Sequence, residues 1–228
     1  GYADNVLLGD RIPSWTDKIT DKNATQAEWT KQPVKTANGV SFGGFLKITD
    51  LNVTAQHIFI VAKRRPKNGR VHLLSGNSVA NMIKWDNSGN FWDNGSQEFA
   101  YGNGGSVRVS AGPNSLTDNV AFIATLTVGD EAGSNGVFLD LYLAARQWGN
   151  TGMAENFDGE IHEVLFYDRI LQNSERDAVE QHLAQKWGIT LYPEQQAAAQ
   201  AAYDAAKPPA EPESGLVAYY KFEPVSVE

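Results

Sequence analysis

Between residues 39 and 168 one pattern recurs: short runs rich in Val, Ile, Phe, Thr and Tyr, each cut by Gly, Asn or Asp. The runs are Gly39–Ile48, His57–Lys63, Arg70–Ser75, Asn81–Asp86, Gln97–Tyr101, Ser106–Ala111, Val120–Val128, Val137–Ala145 and Glu160–Tyr167. β-Branched and aromatic residues suit a pleated, half-buried surface. The breakers Lys67-Asn68-Gly69, Asn87-Ser88-Gly89, Asn94-Gly95 and Asn135-Gly136 supply the positive φ that tight turns need. Many short strands without interleaved helices predict an all-β antiparallel sandwich.

The flanks read differently. Residues 1–38 are polar and irregular, with Trp15 and Trp29 the only large aromatics after Tyr2. After residue 168 a helix is predicted, with Asn173 or Ser174 as its cap and Asp177 as the capping-box carboxylate. Val179, Leu183 and Trp187 recur every fourth residue, so they share the face that packs on the sandwich, and Gly188 offers a stop. The Ala-rich stretch 193–207 reads as a stiff helical spacer, and Lys207-Pro208-Pro209-Ala210-Glu211-Pro212 as an extended linker. Gly215–Phe222 is a strand beyond that linker. The expected organisation is a sandwich over 1–190, a helical and Pro-rich linker over 191–214, and over 215–228 the truncated first strand of a following similar domain. Docking of that strand back onto the first sandwich is the alternative. Residue 1 is Gly with no signal peptide after it, which reads as a piece excised from a larger protein.

Composition excludes several classes. The 228 residues contain no Cys, which removes disulfide scaffolds, thiol catalysis and thiolate metal sites. A net charge of -8 argues against sequence-independent nucleic-acid binding. No run approaches the roughly 18–20 apolar residues that span a bilayer, so no membrane insertion is expected.

The segment Phe157-Asp158-Gly159-Glu160-Ile161-His162-Glu163-Val164-Leu165-Phe166-Tyr167-Asp168-Arg169, running into Ser174-Glu175-Arg176 and Lys186-Trp187-Gly188-Ile189, closely resembles the C-terminal end of bacterial concanavalin A-like (laminin G-type) jelly-roll domains. Trp15-Thr16-Asp17-Lys18, Gln32-Pro33 and Asn38–Gly44 are similar to the early segment of the same domains, and Gly215–Glu223 to their opening strand. The resemblance covers roughly residues 5–190. It implies two curved sheets face to face in an extracellular or cell-surface protein. It also implies a non-catalytic carbohydrate-binding or adhesion module, whose partners are a polysaccharide or glycoconjugate and neighbouring domains of the same chain. Some members hold a structural calcium ion. A spacer without ligand, and a glycoside hydrolase or polysaccharide lyase of the same fold, are the rival readings.

Strict alternation puts Glu160 and His162 on one face of a strand and Glu163 on the other, so the two carboxylates are not expected to flank one sugar bond. Glu163 would then share an apolar face with Ile161, Leu165 and Tyr167 and need a cation, a hydrogen-bond partner or a metal. A salt bridge or hydrogen bond is one reading; the other is a calcium site with oxygens from Asp17, Asn23 and Glu163. Trp85 and Trp92 are expected opposite each other across a Ser88-Gly89 turn, facing the core. Val137–Arg146 alternates an apolar face with one carrying Asp140, Tyr142 and Arg146, and Trp148 follows. If Arg108, on the alternating Ser106–Ser110 run, sits beside it, the five residues Arg108, Asp140, Tyr142, Arg146 and Trp148 form a polar groove for glycan; an ordinary solvated sheet face is the alternative.

Overall fold

A computed structural model describes residues 9–16, 18–19, 22–37, 39–66, 71–76, 82–86, 98–101, 106–109, 117–127, 137–138, 140–147, 153–154, 156–193, 197, 201 and 215–221. Its strands form two antiparallel sheets of seven strands each, with two further two-stranded ribbons, and the two main sheets run in these orders. The first is Ser14–Thr16, Asn23–Thr25, Leu46–Ile48, Leu141–Leu143, Val71–Gly76, Met82–Asp86 and Glu98–Tyr101. The second is Ser106–Val109, Ala121–Thr127, His57–Arg64, Gly159–Tyr167, Val40–Phe42 and Val34–Lys35. A further strand, Leu216–Lys221, pairs with Gly159–Tyr167.

The inner faces close on one core. Trp15, Leu46, Ile48, Leu73, Leu141 and Leu143 of the first sheet meet Phe42, Ile58, Ile60, Phe122, Ile161, Val164 and Phe166 of the second. The second sheet is buried on its outer face as well. There Phe59, Val61, Ile123, Leu165 and Tyr167 pack under Val179, Leu183 and Ala184 of the helix α1 (Asn173–Trp187). This double cover explains why His57–Arg64 reads as a continuous apolar run instead of alternating. Each large apolar side chain so buried is worth about 1.5–3 kcal/mol. An all-β sandwich with helix α1 laid on it is the architecture of the described residues.

Helix α1 begins one residue before the expected cap. Glu175, not Asp177, reaches back to the Gln172 N–H at 2.8 Å, because the helix starts at Asn173 and Glu175 is its third residue. Gly188 ends it in the left-handed conformation, as its position suggests.

Two local expectations are corrected. Trp85 pairs by register with Phe99 and Val71, not with Trp92: Asp86 opposes Glu98, so the connection runs over residues 87–97, which lie outside the described residues. Trp92 itself lies outside the described residues. Val137–Arg146 is not one strand. It divides into Val137–Phe138, Leu141–Leu143 and Arg146–Gln147, with Ala144 at φ 65°. Leu216–Lys221, for its part, pairs with Gly159–Tyr167 of this sandwich, as in the docking alternative. Val40–Phe42 covers only Gly159–Ile161 of that strand, and Leu216–Lys221 takes the same side of it from Glu163 to Tyr167. The linker lies largely outside the described residues, though Leu191 at its start is buried against the helix side of the core.

Candidate functional site

The residues expected to line a groove are dispersed. Arg108 lies on Ser106–Val109 in the second sheet, whereas Tyr142 lies in the first. Val109 enters the inner core, so Arg108 points outward, to α1. Its guanidinium donates to Asp177 at 2.8 Å and to Glu180. Thr125 Oγ1 donates to the other Glu180 oxygen at 2.6 Å. Burial pushes the Glu180 carboxyl up, against the opposing pull of Arg108. The set fastens helix to sheet. Asp140 and Tyr142 do share a neighbour: Lys47 Nζ lies 3.4 Å from Asp140 and 5.3 Å above the Tyr142 ring. Asp140 also accepts from the Asp50 N–H at 3.1 Å. Tyr142 is only 2% exposed, which leaves no stacking face for a sugar. Arg146 sits on a separate ribbon, opposite Ala154. Trp148 lies outside the described residues.

The Glu160–Glu163 segment departs from alternation. The pairing between Gly159–Tyr167 and His57–Arg64 slips between Ile161 and Glu163, so His162 is the extra residue of a β-bulge. Ile161 therefore points into the inner core while Glu163 joins Leu165 and Tyr167 on the outer side, and Glu160 and Glu163 end on the same side of the sheet. Glu163 accepts from Lys186 Nζ at 2.9 Å and from Trp187 Nε1 at 2.6 Å, both on α1. Glu160 meets His162 and Lys63, each at 3.4 Å, and Thr36 at 3.4 Å. His162, and after it Lys63, holds the Glu160 carboxyl down at about 2. The His162 ring packs on Trp187 with centroids 5.0 Å apart.

Two residues of the calcium reading have other partners here. Glu163 takes an ammonium and an indole N–H, while Asn23 Oδ1 accepts from Thr16 Oγ1 at 2.6 Å and Ser14 Oγ at 3.4 Å. Asp17 lies outside the described residues. Among the described residues no group of three or more His, Cys, Asp or Glu could hold a metal ion.

The surface offers a different site at Trp29. It is 66% exposed, the most of any large apolar residue among those described. Trp29 opens a 3-10 turn, Trp29–Lys31, closed by Lys31 N–H on the Glu28 carbonyl at 3.0 Å and Gln32 N–H on the Trp29 carbonyl at 3.2 Å. Two glutamines brace the loop from beneath. Gln32 Nε2 donates to the Gln26 carbonyl at 2.9 Å, and Gln26 donates to the Phe45 carbonyl at 3.3 Å while accepting from the Glu28 N–H at 3.0 Å. Gly44 passes so close that a Cβ there would collide with the Lys31 carbonyl. Arg11 completes the support, donating to the Gln32 carbonyl at 2.9 Å with its guanidinium carbon 5.2 Å from the Trp29 ring centroid.

The rim is polar. Glu28 accepts from Thr30 Oγ1 at 3.0 Å and pairs with Lys31 at 2.6 Å, and these partners, Lys31 first, lower its carboxyl below the usual range. A fixed, open indole face with a guanidinium on one side and carboxylate, hydroxyl and ammonium nearby can stack on the C–H face of a pyranose and hydrogen-bond its hydroxyls. No family model, curated protein or solved structure matches this chain. The signal for this site was present in the sequence, as a Trp in the polar run Gln26–Gln32 with no apolar alternation to carry it inward.

Proposed function

We propose that this chain is a non-catalytic carbohydrate-binding or adhesion module of the concanavalin A-like jelly-roll kind, belonging to an extracellular or cell-surface protein. The Trp29 platform carries the reading. Leaving a large indole in water forgoes burial worth roughly 2–3 kcal/mol, and the loop that displays it is braced by four side-chain hydrogen bonds from Gln26, Gln32 and Arg11, so it does not fold away. The resemblance of Phe157–Arg169 and Lys186–Ile189 to the closing segment of such domains points the same way. The absence of turnover is part of the proposal: the carboxylates most like a catalytic pair, Glu160 and Glu163, are engaged by Lys63, His162, Lys186 and Trp187. Among the described residues no helix is long and apolar enough to cross a membrane.

Affinity electrophoresis in gels cast with diverse soluble polysaccharides, alongside a glycan array, tests the reading. At least one polysaccharide is expected to retard the protein, and Trp29→Ala to abolish the retardation while the melting temperature stays unchanged. Retention of the variant equal to wild type removes Trp29 from recognition. No retention by any polysaccharide favours a ligand-free spacer, and new reducing ends or unsaturated uronate in the incubations would make it an enzyme.

A further inference from the structure

Arg11 stands apart from the other arginines whose side chains are described. Arg64 pairs with Asp118, Arg65 with Asp158, Arg108 with Asp177 and Glu180, Arg169 with Glu175, and Arg176 with Asp177. Arg11 instead donates from Nη1 to two main-chain carbonyls of the Trp29 turn, Gln32 at 2.9 Å and Thr30 at 3.5 Å. Among the described residues no carboxylate pairs with it. Its chain neighbour Asp10 is exposed and engages through its carbonyl, which accepts the Lys35 N–H at 2.9 Å. Glu28, in the same turn, is taken by Lys31 at 2.6 Å.

A guanidinium carries five N–H donors in one plane. With Nη1 turned to the backbone, the Nε and Nη2 edge of Arg11 keeps its N–H groups without an acceptor among the described residues, and neither atom is buried. That edge presents two parallel donors, the arrangement that meets both oxygens of one carboxylate. The Nη1 bonds also fix where it stands. The guanidinium carbon is 5.2 Å from the Trp29 ring centroid, and the anchoring carbonyls belong to the turn that displays the indole. Fork and aromatic face are therefore held as one unit. A hexuronic acid carries its carboxylate directly on the pyranose ring, so a single sugar offers both a C–H face and an anion. A neutral hexose offers hydroxyls alone and leaves the cation without a counter-ion. Lys31 and Glu28 offset each other, so Arg11 gives the turn a positive charge on a chain whose net charge is -8. The overall charge repels an acidic polymer, and the attraction has to come from close contact at the turn.

Resting on the carbohydrate-binding reading above, we propose that the Trp29 turn selects carboxylated polysaccharides. Nε and Nη2 of Arg11 donate to the carboxylate of a uronic acid, and the indole carries the sugar ring. Arg11 is the specificity-determining residue: the stack holds a pyranose, and the fork favours the acid over its neutral counterpart.

Isothermal titration with polygalacturonate, alginate and hyaluronan, each beside its methyl-esterified form, tests this. Esterification keeps the ring and its C–H face and removes the anion. Wild type is expected to bind at least one acid, and at least tenfold more tightly than the matching ester. Arg11→Gln is expected to bring acid and ester to the same weak affinity, and Trp29→Ala to abolish binding of both. Equal affinity for acid and ester in wild type overturns the proposal, as does a preference that survives Arg11→Gln. Dextran sulfate bound as tightly as the tightest acid overturns it too, since that polymer offers charge without a carboxylate. If a neutral polysaccharide is bound in a Trp29-dependent way and no acid is preferred, the carbohydrate reading stands and this proposal falls; no binding of any polysaccharide removes both. Should Arg11→Gln lose its near-ultraviolet circular dichroism, Arg11→Lys, which keeps the charge and lacks the fork, decides: the acid-to-ester ratio is expected to fall, and an unchanged ratio overturns the proposal.

Discussion

Acidification should weaken this protein through one imidazole. His57 is 2% exposed at the start of its strand, stacked on Phe59 with ring centroids 5.5 Å apart. Its Nδ1 accepts the Leu171 N–H at 3.2 Å and its Nε2 lies 3.3 Å from Thr127 Oγ1. That network assigns the proton to Nε2, which donates to the threonine. Burial, then the charges of Arg176 and Arg108, lower its pKa from 6.5 to about 4. The unfolded chain therefore binds this proton below about pH 6.5, while the folded chain does so only near pH 4. The contribution is complete above pH 6.5 and is lost as pH falls toward 4. At 1.36 kcal/mol per unit, integration from pH 7.5 to 4.5 gives a loss of about 2.5 kcal/mol. Glu160 and Glu175, both held at about 2, lose their own contributions only below their ordinary 4.5, so they fall outside this window. Urea unfolding at pH 7.5, 6.0, 5.0 and 4.5 should be run on wild type and on His57→Asn, whose amide oxygen can replace Nδ1 as acceptor. The variant starts less stable at pH 7.5, and the gap closes by about 2.5 kcal/mol at pH 4.5. Parallel stability curves across the series would refute the argument.

Two further substitutions probe the outer side and the Trp29 loop. Lys186→Ala leaves the Glu163 carboxylate, 3% exposed, without its cation; thermal unfolding should show a loss of about 3–5 kcal/mol, partly recovered by adding Glu163→Gln. Gly44→Ala drives a methyl into the Lys31 carbonyl and shifts the turn that holds Trp29; it is expected to weaken retention in polysaccharide gels at least as much as it lowers the melting temperature, and unchanged retention would show that the turn does not position the indole.

The strands of residues 39–168 were legible because each run carries its own evidence, and the α1 stripe of Val179, Leu183 and Trp187 was legible for the same reason. What failed depended on relations between segments. Nothing local marks His162 as a bulge: its neighbours alternate, and only the register against His57–Arg64 exposes the slip. One extra residue reverses every facing expectation before or after it, which is how Glu163 and Ile161 came to be assigned to one face. The Trp85 register failed similarly, since a turn-like Asn-Ser-Gly inside residues 87–97 cannot tell a tight hairpin from a longer connection. Arg108 and Tyr142 each alternate well, but alternation does not say which sheet a strand joins. The polar Gln26–Gln32 stretch was legible only as irregular, because its order comes from side-chain bonds to backbone carbonyls.

The placement of α1 bears on where any ligand can be met. A two-sheet sandwich ordinarily has two outer faces for recognition. Here one of them is covered by the helix, with Phe59, Leu165 and Tyr167 sealed beneath it. On the other sheet, Ser75 and Tyr142, opposed across two strands, are 1% and 2% exposed, so the middle of that face is closed to solvent too. Flat sheet surface is thus withdrawn at the described centres of both layers. Among the described connections, the turn at Trp29 combines an open aromatic face with a backbone fixed from below. The proposed recognition thus rests on a loop held rigid, with the sandwich as its support.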